Sequence, residues 1–429
     1  MAKQELFREL VARLPADALS ADSAFRHRFA LGGRVPEVVV VPNSEEEVVG
    51  ALQVCAELGA AVVPWGEGAR QQQMPAPWRY DVALAMGRMN RVLAYEPDDL
   101  TVTVQAGCTL ETLARLLAPR RQWLLNDIAL PAQSTVGGVV ASAVVALTHC
   151  ARLSARDLLL GITFASGEGA LVHAGGRVVK NVAGYDLMRL LTGSWGTLGV
   201  VTQATWKVLP QPLASATWWV ECSSLSEALD RAGACAADLP EPTRLAVLQL
   251  AGGQLDNGGI GVLVGYAGAP EEVESARARL STCIGYALPV VTEAPAQKML
   301  RAVRDFPLVP PRGRWTAGLR LALPPGAALA VVGGAAAELE QAGASVCTLP
   351  QRGTVYLRFD QNYERGVARL SLVLGEICTS ARGWLVPDIW PAGAQWSAPE
   401  LPHLFLSRRV KETLDPRGVL SPGRYWGHW

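Results

Sequence analysis

The stretch 175–201, GGRVVKNVAGYDLMRLLTGSWGTLGVV, sets six glycines among short apolar runs. Glycine at that density beside Val-Val and Leu-Leu pairs calls for tight turns and close approach of backbone, because glycine alone tolerates positive φ freely and carries no Cβ. Such turns serve either a hairpin-rich core or a bound ligand, and the stretch by itself does not separate the two. Two further glycine-rich segments upstream tip the reading toward a ligand.

The chain opens with helical spacing over 3–14, a lead-in helix. Residues 38–41 are a continuous apolar run ended by Pro42 and predict a buried strand. Ser44 with Glu47 three residues on forms a capping box, opening a helix through Val48, Leu52, Cys55 and Leu58 that stops at Gly59. Residues 61–63 form the next strand, so the chain begins strand, helix, strand, the start of an α/β unit.

Directly after that strand comes Pro64-Trp65-Gly66-Glu67-Gly68-Ala69-Arg70. A Gly-x-Gly turn at a strand end can aim consecutive N–H groups into one concavity suited to a phosphate or pyrophosphate. It is not the G-x-G-x-x-G that opens a helix in a Rossmann unit, and Glu67 adds a carboxylate there unless it points outward. Residues 99–104 alternate polar and apolar as a half-buried strand does, and Thr109 can cap a helix carrying Leu110, Leu113, Leu116 and Leu117. The second segment, Ser134-Thr135-Val136-Gly137-Gly138-Val139-Val140-Ala141-Ser142, puts hydroxyls before a Gly-Gly pair at the head of a small-residue helix. That pattern suits close approach of a flat or anionic ligand, or of a neighbouring element. Strand-like runs follow at 158–164 and 171–173.

Composition narrows the function classes. Acidic and basic residues balance at 39 each, so no overall field points to nucleic acid or an anionic membrane. The most apolar run, 136–148, falls short of the ~20 residues a membrane span needs, and charges interrupt the amino-terminal stretch where a signal peptide would be apolar, so a cytoplasmic protein is expected. Eight cysteines lie without a CxxC pair and five histidines without an HxH or HExxH pair. That spacing predicts reduced, mostly buried thiols and neither an iron–sulfur cluster nor a metal site in this chain.

Three elements in this order resemble the FAD-binding domain of the vanillyl-alcohol oxidase and p-cresol methylhydroxylase (PCMH) superfamily. They are the Pro-x-Gly-x-Gly turn after the early strand–helix–strand unit, the Ser-Thr-Val-Gly-Gly segment, and Gly193-Ser194-Trp195-Gly196-Thr197-Leu198-Gly199-Val200-Val201-Thr202. Within that superfamily, Val179-Lys180-Asn181-Val182-Ala183-Gly184-Tyr185-Asp186-Leu187 and the Gly-Ser-x-Gly-Thr-Leu-Gly-Val run are similar to the FAD-binding E subunits of glycolate oxidase. The tail Leu414-Asp415-Pro416-Arg417-Gly418-Val419-Leu420-Ser421-Pro422-Gly423-Arg424 resembles the close of the same subunits.

The resemblance implies an α+β chain: a lead-in helix over 1–35, a two-lobed PCMH-type FAD-binding domain over 36–212, an α+β cap domain over 213–400, and a segment 401–429 returning to the FAD domain. Carried over residue by residue, Pro64, Gly66, Gly68, Ala69 and Arg70 would hold the pyrophosphate. Thr135, Gly137, Gly138 and Ser142 would meet the diphosphate and the flavin face, and Gly199, Val200 and Val201 would run beside the adenosine end. The first turn holds no histidine, so FAD is expected to be non-covalent. In the cap, strand-like runs at 217–221, 245–250, 261–266, 319–323 and 355–359 alternate with helical ones, one of them near 271–280.

Arg320 lies in Gly318-Leu319-Arg320-Leu321-Ala322-Leu323-Pro324, similar to a strand of relatives. It would either clamp a substrate carboxylate or form a structural salt bridge. The metal-binding histidine pair of related D-2-hydroxyacid dehydrogenases has no counterpart. The family implies a 2-hydroxy acid as substrate, hydride transfer from its α-carbon to flavin, a second FAD-binding subunit with the fuller catalytic site, and an iron–sulfur subunit that takes the electrons. Association with the inner face of the membrane would come only through those partners. The departures, Glu67 in the first turn and the segment 145–152 where relatives carry glycines, leave open a second expectation: a flavin-poor structural subunit of the same complex.

Overall fold

Local capping chemistry places the first helices where the sequence requires them. In the computed structural model, which describes residues 2–124, 127–144, 146, 154–176, 185–239, 242–251, 259–290, 294–309, 315–359, 364–389 and 404–424, the Ser44 hydroxyl accepts the Glu47 N–H at 3.3 Å. The Glu47 carboxylate reaches back one residue further than a capping box does, to the Asn43 N–H at 2.8 Å. The helix Glu45–Leu58 ends at Gly59, whose φ of 63° is the left-handed cap that glycine adopts without strain. It buries Val48, Ala51, Leu52, Val54 and Cys55 in the core of a four-stranded sheet. That sheet runs Leu19–Ser20, Val38–Val40, Val82–Ala85, Val62–Trp65; the last three strands are parallel.

A second sheet of five antiparallel strands follows, in the order Val92–Glu96, Thr101–Gln105, Val200–Lys207, Leu159–Ala165, Leu171–Gly175. The Thr109 hydroxyl caps Leu110–Leu117 through the Thr112 N–H; that helix and the short helix Val136–Ser142 pack Leu113, Leu117, Val136, Val139 and Val140 with Phe164 and Trp206 of the sheet.

The third sheet has seven antiparallel strands: Ala214–Glu221, Ile260–Gly268, Arg244–Gln249, Ser345–Leu349, Thr354–Phe359, Ala317–Ala322 and Trp384–Ile389. Five of them lie on the expected runs. Ser345–Leu349 and Trp384–Ile389 do not, and the latter is an edge strand carrying Pro387, which demotes a run read from sequence alone. The two-residue period divides the sheet's faces. Leu319, Leu321, Val355, Leu357 and Phe359 pack with residues of the helices Leu225–Asp238 and Pro270–Ile284. Tyr356, Cys347 and Leu349 join Met299, Val303 and Phe306 on the other side.

The tail segment 415–424 lies along the edge strand Val62–Trp65: the Val62 N–H donates to the Val419 carbonyl and the Ser421 N–H to the Val62 carbonyl, each at 2.8 Å. Lys411, buried, forms an ion pair with Asp415 and donates to the carbonyls of Thr197 and Leu420 at 2.8 and 2.9 Å. Of the family-identifying string, residues 179–184 lie outside the described residues; Asp186 within it caps the helix Leu187–Leu191 by accepting the Arg189 N–H. The departure segment lies outside as well, apart from Ala146. No helix among the described residues is long and apolar enough to cross a membrane.

Candidate functional site

The turn after Val62–Trp65, the helix Val136–Ser142 and the start of the strand Val200–Lys207 meet around one cleft. It encloses about 760 Å³, open mouth included. Pro64, Gly66, Gly68, Ala69, Arg70, Thr135, Gly137, Gly138, Ser142, Gly199, Val200 and Val201 all line it. The three segments are therefore one site in space although 130 residues of chain separate the first from the last.

The reason for glycine here lies in the protein itself. A Cβ on Gly66 would stand 2.2 Å from Thr135 Oγ1, one on Gly137 2.8 Å from Ala106 Cβ, and one on Gly199 2.6 Å from Phe164 Cδ2. The bare backbone lets the segments close on one another, the approach of a neighbouring element that the Gly-Gly pattern allows beside that of a ligand. A coupling follows. Gly66→Ala should cost about 1–3 kcal/mol by overpacking and Thr135→Ala about 1 kcal/mol as a lost cap. The double variant should cost less than the sum, since the hydroxyl that clashes is gone. Chemical denaturation of the four proteins checks this; strict additivity would refute the contact.

The donors are divided differently from the expectation. At the head of Val136–Ser142, the Val136 and Gly137 N–H groups donate to the carbonyls of Cys108 and Ala106 at 2.8 Å, and Gly138 donates to Thr135 Oγ1 at 3.2 Å. The Ser142 hydroxyl donates to the Gly138 carbonyl. The short helix thus spends its N–H groups internally. In the turn Gly66 to Arg70, by contrast, no backbone N–H meets a protein acceptor among the described residues, although the turn lines the cleft.

Two buried guanidiniums supply its charge. Arg70, 8% exposed, donates to Ser134 Oγ at 3.0 Å and the Ala129 carbonyl at 3.4 Å. Arg424, 1% exposed, donates through Nη2 to the Gln71 carbonyl at 2.6 Å while its Nη1 has no partner. Burial pulls both down to about 10. Neither meets a carboxylate among the described residues. Glu67 is exposed, with a carboxylate oxygen beside Gly87, and so leaves both cations uncompensated. A buried cation without a counter-charge is costly, and an anion bound in the cleft offsets that cost. Arg424 was not among the residues expected here. Its signal was present in the closing Pro-Gly-Arg of the tail, but some 350 residues separate it from the turn it touches.

A second cavity of about 520 Å³ adjoins the cleft and shares Arg70, Ser142 and Trp195 with it. Its other wall is the seven-stranded sheet, with Arg320, Tyr356 and Asp388, and the neighbouring Arg304. Arg320 is half-buried and its Nε has no hydrogen-bond partner. The structural ion pair on this face belongs to its neighbour instead. Arg358, fully buried, holds Asp388 through two bonds of 2.8 and 2.9 Å. Arg304 is likewise paired, bidentately with Asp305.

The family model described as an FAD binding domain matches residues 36–175. Residues 36–175 are an FAD-binding domain. FAD is the cofactor this domain implies, and the residues present fit it: open N–H donors in the first turn and two buried, uncompensated guanidiniums suit a diphosphate. The chain is 30% identical over 205 residues to glycolate oxidase subunit GlcD of Bacillus subtilis (strain 168), a stretch that covers 48% of this chain and 43% of that one. It is 39% identical over 139 residues to glycolate oxidase subunit GlcE of Escherichia coli (strain K12), covering 32% and 39%. These matches span less than half the length of either relative. Over the whole chain the fold is that of p-cresol methylhydroxylase, with a TM-score of 0.74, 15% identity, and 99% of this chain and 97% of that one covered. That likeness establishes the α+β, PCMH-type architecture.

Proposed function

We propose that the chain is the FAD-binding E-type subunit of a glycolate oxidase-like complex that oxidises a small 2-hydroxy acid. The observation that carries this reading is Arg320, without an ion-pair partner among the described residues, in a cavity that adjoins the glycine-lined cleft and shares Ser142 and Trp195 with it. Its guanidinium fork suits a carboxylate bidentately. The division into an FAD domain over 36–212 and a cap over 213–400 belongs to this reading, with the substrate held between them. A second FAD-binding subunit and an iron–sulfur subunit complete the proposed complex.

Gly66, Gly68, Ala69 and Arg70, joined by Arg424, would hold the diphosphate; Pro64, Thr135, Gly137, Gly138, Ser142, Gly199, Val200 and Val201 would shape the rest of the cleft. FAD, when bound, supplies the two-electron acceptor. The chain's own residues do the rest. Arg320 fixes the substrate carboxylate, the Arg358–Asp388 pair stiffens the strands beneath it, and the packed sheet face excludes water.

The test is an absorption spectrum of the chain purified with its partners, followed by anaerobic mixing with glycolate and with D-lactate. Bound flavin that is bleached by either acid is the expected result. A colourless preparation would favour the flavin-poor structural subunit. Arg320→Met should raise the KM for the acid about 10- to 100-fold, the worth of a charged hydrogen-bonded pair, with flavin content unchanged. An unaltered KM would remove Arg320 from the site.

A further inference from the structure

The wall of the second cavity carries one more polar group that nothing in the fold uses. Tyr356 lies on Thr354–Phe359 directly opposite Arg320 of Ala317–Ala322 in the antiparallel register. Opposed residues project from the same face of a sheet with Cβ atoms about 5 Å apart. Both line the cavity. Tyr356 is 4% exposed, yet its hydroxyl has no hydrogen-bond partner among the described residues, although it is not among the polar atoms sealed from the cavity. A buried tyrosine normally finds a partner for its hydroxyl.

Its surroundings fix the phenol in place. The Arg358 guanidinium stands 5.2 Å from the ring centre and is itself locked to Asp388. The ring packs in the cluster of Cys347, Leu349, Phe306 and Trp315. Burial holds the hydroxyl up, in its protonated form, against the pull of Arg320 and Arg358. The cavity therefore presents, side by side, a cationic fork and a neutral hydroxyl that both donates and accepts.

Resting on the reading of this cavity as a 2-hydroxy acid site, we infer that Tyr356 is a specificity-determining residue that hydrogen-bonds the substrate's 2-hydroxyl while Arg320 holds its carboxylate. A carboxylate and a hydroxyl on adjacent carbons match two donors that project in parallel from paired strands. A site that hydrogen-bonds a hydroxyl discriminates against the analogue lacking it, because its own polar group is then left unpaired.

The experiment measures binding without turnover. The flavin is held reduced with dithionite, and glycolate and acetate are titrated by calorimetry into the wild-type complex, Tyr356→Phe and Arg320→Met. Wild type should bind glycolate about tenfold more tightly than acetate, the worth of one hydrogen bond. In Tyr356→Phe that ratio should fall to near one, with acetate affinity, flavin absorbance and Tm unchanged, since the lost hydroxyl has no protein partner to abandon. Arg320→Met should weaken both acids together and leave their ratio in place. A wild-type ratio retained by Tyr356→Phe overturns the inference and leaves the 2-hydroxy acid reading standing. Failure of wild type to bind either acid overturns both.

Discussion

Arg424→Met is expected to lower the affinity for FAD about 10- to 100-fold, the range for a charge-assisted hydrogen bond to a phosphate oxygen, without destabilising the cofactor-free chain. The two halves of that result come from one fact. Arg424 is 1% exposed with an unpartnered Nη1, so in the absence of an anion its charge is a net cost, and methionine of similar length removes the cost along with a single bond to the Gln71 carbonyl. With the diphosphate bound, the same guanidinium is compensated. The measurements are flavin absorbance per chain after purification and Tm with and without added FAD. The cofactor-dependent gain in Tm should shrink while the cofactor-free Tm holds or rises. An unchanged flavin content would place Arg424 outside the cofactor's reach. Because the family match ends at residue 175, the variant also tests whether the tail completes the cofactor site.

Asp388→Ala should destabilise the chain by about 3–5 kcal/mol, the usual consequence of leaving one half of a buried ion pair behind. Arg358 has no exposed surface and both of its terminal nitrogens reach Asp388; its bonds to the Leu319 and Pro307 carbonyls cannot neutralise it. The double replacement Arg358→Met with Asp388→Leu should recover most of the loss, because removing both charges removes the desolvation cost with them. Urea unfolding of the wild type and the two variants decides the matter. A loss under ~1 kcal/mol for Asp388→Ala would mean that water reaches Arg358.

What could be read before the structure follows the range of the interaction. The caps at Ser44 and Thr109 act across three residues, so spacing alone locates two helix starts. The opening strand, helix and strand, and most of the seven-stranded sheet, follow from apolar periodicity. The strands Ser345–Leu349 and Trp384–Ile389 escaped because pairing partners, rather than their own composition, make them strands; Pro387 is tolerated only because its strand is an edge.

The cleft divides along the same line. Three glycine-rich segments were legible as turns and, through their resemblance, as the walls of one cleft, since each must bend or approach closely whatever surrounds it. Which surface each glycine makes room for was not legible, because Thr135, Ala106 and Phe164 meet them only after the sheets have stacked. Nor was the use of the donors, since the helix head gives its N–H groups to Cys108 and Ala106. Arg424, Tyr356 and the Arg358–Asp388 pair are plain residues in the sequence. They become a counter-charge, an open hydroxyl and a locked pair only when burial removes water and register sets their neighbours. The sequence by itself thus determined where the chain turns, caps and pairs locally, because those choices rest on interactions a few residues long. The tertiary structure alone decided which polar groups are left uncompensated, because compensation depends on everything a folded chain brings near.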